Sequence, residues 1–442
     1  MLPMTHQLVR QVRCNVIATI GGLIFAAVCA YGNAIDPTVR ARLQQTVDSV
    51  LRAEDIQGVS AAVLLEGDVW VGAAGTSYVG RPITPEMVFG IGSNTKTCTA
   101  LTLLRLQEQG LLRLDAAIGQ WIPTHPHIDS AITVRQLLQH TSGIGDFSAL
   151  RAYRDACLAD PSRVWKASEL MALIPEREFE RGTSWMYCNT NYFLAGVIAE
   201  SVTGFQLQNL YRRELCELLD LDSTRLVPQD SVVGELAHRW MGGRDASSTP
   251  MSAEWSGAGA AGAIVSTASE MVQLYDALFR SKVLTQESLQ QLTDFEGPNQ
   301  YGLGISRKTI AGEPVIGHSG EIRGYSSLVF WIPSLQASVA VLTNSIPSNP
   351  LAVAAAIIRV LRDRTTSVDP DGSASCVFFP VAVHDLAGRI VLHAEDAHSL
   401  TGLLPGVYTL IGATRSWLIC VNADNTVGVC KSFVVSASTS IE

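Results

Sequence analysis

The sequence predicts an α/β (α+β) fold, in which helices flank an antiparallel sheet, an all-helical lobe lies beside it, and a small all-β module follows. Three observations predict this arrangement. A helix and two strands come first, a long stretch from Ser93 to about Leu292 has helical periodicity, and four strands with an alanine-rich helix follow. We expect the first and last helices to cover the sheet.

Each element has its own local signal. A helix is expected at 37–52, and strands at 59–65 and 69–74 are separated by the turn Glu66-Gly67-Asp68. Later strands are expected at 301–305, 314–318, 326–332 and 338–343, with the closing helix at 350–364. Alternating segments at 377–383, 389–393, 406–410 and 416–421 predict the C-terminal module. The predicted division is a leader at 1–34, a main domain at 35–364, a linker at 365–374 and a module at 375–442.

The N-terminus has the pattern of a secretory signal peptide. Arg10 and Arg13 precede an apolar run from Val16 to Ala30, and small residues continue through Ala34. This pattern predicts a periplasmic or extracellular protein. An uncleaved anchor is the alternative, because the run approaches the roughly 20 residues that span a bilayer. No later segment is expected to cross a membrane.

Composition excludes some functions. The net charge is −9 and no basic stripe is present, so no nucleic-acid partner is expected. No cysteine or histidine cluster has zinc spacing, so neither a metal nor another cofactor is predicted. Cys420 and Cys430 flank a predicted hairpin, where a disulfide and two buried free thiols both remain open.

The most informative stretch is Ser93-Asn94-Thr95-Lys96. The run 89–92 leads into it, and a helical pattern follows that closes at Gly110. Ser93 is therefore expected on the first turn of a helix, with Lys96 one turn later on the same face. A serine there has the positive end of the helix dipole beneath it and an amine beside it, which is typical of an activated nucleophile.

Two shorter motifs follow in the chain. Tyr187 and Asn189 are two residues apart, so in an extended segment both side chains point into one cleft, where they suit proton transfer and the holding of a substrate carbonyl. His318-Ser319-Gly320 is predicted at the end of a strand, where Gly320 permits close approach of a ligand. Gly257–Gly262 fits the dinucleotide-binding pattern GxGxxG, but no buried strand precedes it, so that interpretation is rejected.

With these motifs in place, the chain resembles the serine β-lactamase and penicillin-binding-protein family. It is most similar to the D-alanyl-D-alanine carboxypeptidases of the class C β-lactamase branch. The resemblance runs from about Asp36 to Arg364 and implies a β-lactamase/transpeptidase-like fold. Four further segments carry it: 138–144 (LQHTSGI), 187–192 (YCNTNY), 262–267 (GAIVST) and 318–325 (HSGEIRGY).

The resemblance implies a role for each motif residue. Ser93 would attack the scissile carbonyl and form an acyl-enzyme. Lys96 would help to remove the Ser93 proton and Tyr187 would pass it to the leaving amine, and which of the two is the base stays open. Asn189 would orient the substrate amide, and His318 would support Tyr187 and the end of the substrate.

The substrate-binding part is also implied by the resemblance. Backbone N–H groups of Ser93 and Glu321 would form the oxyanion hole, and Ser319 and Gly320 would line the substrate site. Glu321 replaces a small hydroxyl residue that helps carboxypeptidases to hold the substrate carboxylate. It would repel that carboxylate unless Arg307 or Arg323 offsets its charge.

The expected partner is a small peptide or ester, with peptidoglycan as one source. The main prediction is a D-alanyl-D-alanine carboxypeptidase-type peptidase, and the first alternative is an esterase or other acyl hydrolase on the same fold. His318 disfavours a dedicated β-lactamase, because those enzymes usually carry lysine at this position. A penicillin-recognising sensor or scaffold is the alternative outside enzymes.

Overall fold

The computed structural model describes residues 35–366 and the backbone of five strands between 381 and 433. The predicted leader, nearly all of the predicted linker and the side chains of Cys420 and Cys430 lie outside the described residues. Residue contacts divide the chain into a unit that ends at Arg364 and a second unit that begins at Thr365.

The described part of the main unit contains thirteen strands, seven of which form one antiparallel sheet in the order β3-β2-β1-β12-β11-β10-β9. In chain order the strands are β1 Gly58–Leu65, β2 Asp68–Tyr78, β3 Arg81–Pro82, β4 Phe89–Gly90, β5 Arg225–Leu226, β6 Trp240–Met241, β7 Arg244–Asp245, β8 Ile264–Ser266, β9 Ser306–Ile310, β10 Glu313–Ile322, β11 Tyr325–Ile332, β12 Ala337–Thr343 and β13 Ser345–Ile346.

Twelve helices complete the described part of this unit. They are α1 Pro37–Ala53, α2 Thr95–Glu108, α3 Val134–Leu138, α4 Arg151–Ala159, α5 Ala167–Ala172, α6 Asn189–Thr203, α7 Leu207–Tyr211, α8 Glu217–Leu219, α9 Ser252–Ala258, α10 Ala268–Phe279, α11 Gln286–Leu292 and α12 Pro350–Thr366. A 3-10 turn, Gly92–Asn94, leads into α2.

The sheet separates two hydrophobic cores. Residues of α1 and α12, such as Val39 and Ile357, pack on one face of β1 with Val59 and Val63. The helical lobe packs on the other face, in the core that contains Leu64. All eight residues of β1 are buried, as expected for a central strand covered on both sides. The predicted fold class and the predicted helical covering are confirmed.

Local chemistry explains where the first helix begins. Asp36 Oδ1 accepts hydrogen bonds from the backbone N–H groups of Thr38 (2.8 Å) and Val39 (3.0 Å), and Pro37 occupies the first helical position. These are the preferred residues for an N-cap and a first turn.

Two strand predictions need correction. Residues 301–305 do not form a strand, because Gly304 has φ +68° and turns the chain beneath α2, where its carbonyl accepts a hydrogen bond from Thr97 Oγ1 at 2.7 Å. The strand instead begins at Ser306. His318 does not end a strand either, since β10 continues to Ile322.

The second unit is a five-stranded antiparallel sheet in the order β15-β14-β16-β17-β18. Its strands are β14 Val381–His384, β15 Ile390–Ala394, β16 Gly406–Ile411, β17 Ser416–Val421 and β18 Val427–Phe433. The predicted change to short strands in this part of the chain is therefore observed.

Among the helices that the structure describes, none combines the length and apolar character that crossing a bilayer requires.

Candidate active site

Ser93 lies in the turn between β4 and α2, with its side chain half-buried. The turn is fixed to the sheet by Ser327 Oγ, which donates to the carbonyl of Ile91 at 2.7 Å. Asn94 Nδ2 donates to the same Ser327 Oγ at 2.8 Å. The candidate nucleophile is therefore held rigidly at the start of a buried helix, as the sequence predicts.

Lys96 lies one helical turn later, and its side chain is completely buried. Its Nζ is 3.0 Å from Ser93 Oγ, 2.8 Å from Asn189 Oδ1 and 2.7 Å from the carbonyl oxygen of Ala261. Burial lowers the pKa of Lys96 from 10.5 to about 7, and the negative charge of Asp146 opposes this shift. A substantial fraction of this amine is therefore uncharged near neutral pH.

Asn189 begins α6 and turns its side chain toward Lys96. Its Nδ2 donates to Ser148 Oγ (2.9 Å) and to Asp146 Oδ2 (3.3 Å), and its backbone N–H donates to the same Asp146 oxygen at 3.0 Å. The amide hydrogens and the carbonyl oxygen of Asn189 are thus all used within the protein. Asn189 therefore positions Lys96 in this structure, and its predicted role in orienting the substrate amide stays a prediction.

Tyr187 lies beside the same amine, with Lys96 Nζ 4.8 Å from the centre of the Tyr187 ring. Burial raises the pKa of the Tyr187 phenol, and a hydrogen bond with Ser93 opposes that shift. The buried ring of His140 lies 4.4 Å from the Tyr187 ring. His140 Nδ1 also accepts a hydrogen bond from the backbone N–H of Cys188 at 3.1 Å, which fixes the segment that carries the phenol.

His318 is buried in β10 and is held by two hydrogen bonds. Its Nδ1 lies 2.5 Å from the carbonyl oxygen of Ser319, which only accepts, so Nδ1 carries the proton. Its Nε2 then accepts from the hydroxyl of Tyr301 at 2.9 Å. Burial and the charge of Lys96 lower the pKa of His318 from 6.5 to about 3, so the ring is neutral at neutral pH.

The predicted support of Tyr187 by His318 is not direct. The centres of the two rings are 6.1 Å apart, and the hydroxyl bonded to His318 belongs to Tyr301. Sequence reasoning missed Tyr301 because it lies in a segment that was predicted to be a strand.

Two glycines bring the nucleophile turn against β10. A Cβ atom added to Gly320 would lie 2.0 Å from the carbonyl oxygen of Ile91 and 2.9 Å from the backbone nitrogen of Ser93. A Cβ atom added to Gly92, which has φ +52°, would lie 2.5 Å from the backbone nitrogen of Glu321. Both predicted oxyanion-hole nitrogens therefore lie at this contact.

These residues line a cavity of about 600 Å³. The lining combines aromatic side chains with hydroxyl and charged groups. Its lining residues are Ser93, Trp185, Tyr187, Asn299, Tyr301, Ser306, Lys308, His318, Ser319, Gly320, Glu321 and Ser326.

The structure corrects the predicted cation of this cavity. Arg307 is not among the lining residues, because its Nε donates to Gln300 Oε1 at 3.2 Å and its guanidinium lies 5.4 Å from the Phe295 ring. The next residue along β9, Lys308, lines the cavity instead. Adjacent residues of a strand point to opposite faces of the sheet, so a prediction that is wrong by one residue names Arg307 in place of Lys308.

The exposed side chain of Glu321 also lines the cavity. Arg323 does not offset its charge, since Arg323 Nη1 pairs with Glu254 Oε1 at 2.9 Å. The cavity therefore presents one ammonium and one carboxylate, in addition to the Ser93, Lys96 and Tyr187 constellation.

This geometry defines a class of protein. A serine with a buried lysine amine at 3.0 Å, a hydrogen bond with a tyrosine hydroxyl and two backbone N–H groups at one contact is the arrangement of a serine acyl hydrolase.

The family model Beta-lactamase matches residues 40–363, and the chain belongs to that family. Penicillin-binding protein 4 of Amycolatopsis lactamdurans is 28% identical over 250 residues, which cover 54% of this chain and 63% of the relative. A D-aminopeptidase of Cereibacter sphaeroides is 27% identical over 299 residues, which cover 65% of this chain and 55% of the relative. The chain thus spans less than two thirds of the length of these curated relatives.

Solved structures agree with the fold. A D-stereospecific amidohydrolase from Streptomyces sp. superimposes with a TM-score of 0.64 at 29% identity, over 72% of this chain and 97% of that one. A D-amino acid amidase from Ochrobactrum anthropi SV3 gives a TM-score of 0.65 at 25% identity, over 74% and 99%. The predicted resemblance is confirmed, and the chain has the β-lactamase and penicillin-binding-protein fold.

Proposed function

We propose that this protein is a peptidase of the D-alanyl-D-alanine carboxypeptidase type, which cleaves short peptides through an acyl-enzyme on Ser93. The observation that carries the proposal is the cation of Lys308 in the same cavity as the nucleophile. A free carboxylate on the leaving residue is the natural partner of that cation. The names of the similar D-aminopeptidase and D-amino acid amidase support a preference for D-residues.

The catalytic steps follow from the positions of the side chains. Ser93 Oγ attacks the scissile carbonyl carbon while its proton passes to the neutral amine of Lys96, 3.0 Å away. The carbonyl oxygen becomes an oxyanion that the N–H groups of Ser93 and Glu321 stabilise, an effect of roughly 3–4 kcal/mol per donor.

Collapse of this intermediate breaks the C–N bond. The hydroxyl of Tyr187 donates its proton to the leaving amine, and the Lys96 ammonium returns a proton to Tyr187. Water then attacks the Ser93 ester, which releases the acid and restores the serine.

The second candidate is hydrolysis of neutral esters or amides. It is favoured by Glu321, whose carboxylate at the cavity repels a substrate carboxylate that comes close to it. A penicillin-recognising sensor would need the same lysine amine for acylation of Ser93, and it would differ from both candidates in cleaving neither peptides nor esters.

A charge test separates the two candidates. We expect the wild type to cleave N-acetyl-D-Ala-D-Ala faster than its C-terminal amide, and Lys308→Met to remove this preference by lowering kcat/KM for the acid. Lys282→Met, which removes an exposed lysine that does not line the cavity, is the matched control. An equal preference in wild type and Lys308→Met, or faster cleavage of the amide by the wild type, would favour the second candidate.

The N-terminal pattern supports a cellular compartment for this reaction. We propose that the leader directs the protein to the periplasm or outside the cell, where peptidoglycan peptides are a source of substrate. N-terminal sequencing of the protein recovered from cell fractions tests this, and an intact leader on cytoplasmic protein would contradict it.

A further inference from the structure

The cavity holds two opposite charges that are not paired within the described residues. The carboxylate of Glu321 and the ammonium of Lys308 both line it, and both side chains are exposed. The nearest candidate partner of Glu321 in sequence, Arg323, is engaged by Glu254 at 2.9 Å. A substrate that fills the cavity therefore meets one anion and one cation.

The order of residues along β10 separates the two charges. Lys308 on β9 pairs with Val315, and His318, Gly320 and Glu321 follow along β10. The Lys308 charge reaches His318 and contributes to the lowering of the pKa of its ring. Glu321 follows Gly320, and its backbone nitrogen lies against Gly92 in the nucleophile turn. Along β10, Lys308 therefore lies on the His318 side of the contact with the nucleophile turn, and Glu321 lies at the other end of that contact.

The same order of residues along β10 indicates where the leaving group and the acyl part of the substrate lie. Tyr187, the proton donor to the leaving amine, has its ring 6.1 Å from the ring of His318, so the leaving group lies on the His318 and Lys308 side. The acyl part that becomes attached to Ser93 consequently lies on the Glu321 side.

We propose that Glu321 binds the free α-ammonium of the residue whose carbonyl acylates Ser93. The substrate is then a short peptide with both termini free, whose N-terminal residue is transferred to the enzyme. A cavity of about 600 Å³ has the size that suits a ligand of this kind. This inference rests on the Ser93 acyl-enzyme of the proposed function and adds the identity of the acyl residue.

The test compares free D-Ala-D-Ala with N-acetyl-D-Ala-D-Ala. We expect wild-type kcat/KM to be about ten-fold or more higher for the free peptide, because its α-ammonium can form a charge-assisted hydrogen bond with Glu321 and the acetylated nitrogen cannot. Glu321→Gln keeps the backbone N–H and the shape of the side chain, and it should lower this ratio about ten-fold. Glu217→Gln, at an exposed glutamate outside the cavity lining, should keep the wild-type ratio.

A pH series gives a second readout. The preference of the wild type for the free peptide should decline as the pH rises through about 8, where an α-amino group loses its proton. In Glu321→Gln the ratio should lack this pH dependence. A structural role of Glu321 would not produce the difference.

Three results would overturn the inference. The first is an equal change of kcat/KM for both peptides in Glu321→Gln, and the second is a wild type that prefers the acetylated peptide. The third is a preference, lost in Glu321→Gln, for N-blocked peptides in which the residue before D-Ala-D-Ala carries an ammonium in its side chain. In each case labelling of Ser93 by a fluorescent penicillin and cleavage of the acetylated peptide would leave the proposed function intact. Absence of labelling and of all peptide cleavage would refute the proposed function itself.

Discussion

The amine of Lys96 is surrounded by groups that suit an uncharged nitrogen. Asn189 Oδ1 and the carbonyl of Ala261 only accept hydrogen bonds, so together they use the two N–H bonds of a neutral amine. In that neutral form the lone pair of the amine is left for Ser93 Oγ, 3.0 Å away, whose hydroxyl would then donate. Burial, which lowers the pKa of Lys96 to about 7, makes this neutral form available at physiological pH.

This arrangement predicts how acylation depends on pH. The rate of Ser93 acylation by a neutral ester should rise as the pH passes upward through about 7, because the protonated amine cannot accept the serine proton. Stopped-flow kinetics across the neutral range measures this directly. Lys96→Arg should be inactive, since arginine stays charged. A flat wild-type profile, or near-normal acylation by Lys96→Arg, would leave Lys96 only an electrostatic role.

The sequence identified the residues that act on each other locally, and it missed those that converge from distant loops. The spacing of Ser93 and Lys96 has one helical interpretation, and the structure confirms it. Asp146, which holds Asn189, comes from a segment without a pattern of its own, and Tyr301, which holds His318, comes from a segment whose pattern favours a strand. The only signal for Asp146 was its position just after the segment 138–144.

At the scale of elements, the site depends on the contact between the turn Gly92–Asn94 and strand β10. The added Cβ on Gly320 would meet the backbone at 2.0 Å, where no side chain can move aside. The turn and the strand would have to separate, and the oxyanion hole would open.

Gly320→Ala is therefore expected to lower kcat/KM for ester hydrolysis roughly 100-fold or more, the cost of losing an oxyanion-hole donor. Gly297→Ala is the control, because an added Cβ there has nothing within 4 Å. Circular dichroism of both variants checks that the fold persists. Near-normal hydrolysis by folded Gly320→Ala would show that this contact does not form the oxyanion hole.

Element boundaries show where a sequence pattern is insufficient. The five residues 301–305 have an apolar composition that favours a strand, but a left-handed Gly304 provides the turn that fits beneath α2. Conversely, Gly257–Gly262 has no dinucleotide role, yet its Ala261 carbonyl is a hydrogen-bond partner of Lys96. A glycine allows several backbone conformations, and only the packing around it selects one.

At the scale of the whole molecule, the alternation of helices and strands was sufficient to predict the fold class. An antiparallel sheet with terminal helices on one face and a helical lobe on the other is the arrangement that buries all the apolar faces. The order of the strands was not predictable, because β1 pairs with β12 across most of the chain.

The last helix of the main unit, α12, packs into the hydrophobic core of that unit. Val353, Ile357 and Leu361 of α12 are buried in this core, and all three precede Arg364. We therefore expect a chain that ends at Arg364 to stay folded and to hydrolyse a small ester at near the full-length rate. Aggregation of this chain or loss of ester hydrolysis would show that the residues after Arg364 are needed.

The central claim is that Ser93 forms a covalent acyl-enzyme, and intact-protein mass spectrometry with peptide mapping tests it most directly. After incubation with a penicillin, the protein should gain the mass of the opened drug on the peptide that contains Ser93, and Ser93→Ala should gain none. Ser326→Ala, which removes another hydroxyl that lines the cavity, should still be labelled on that peptide. Label on a different peptide, or label retained by folded Ser93→Ala, would contradict the account.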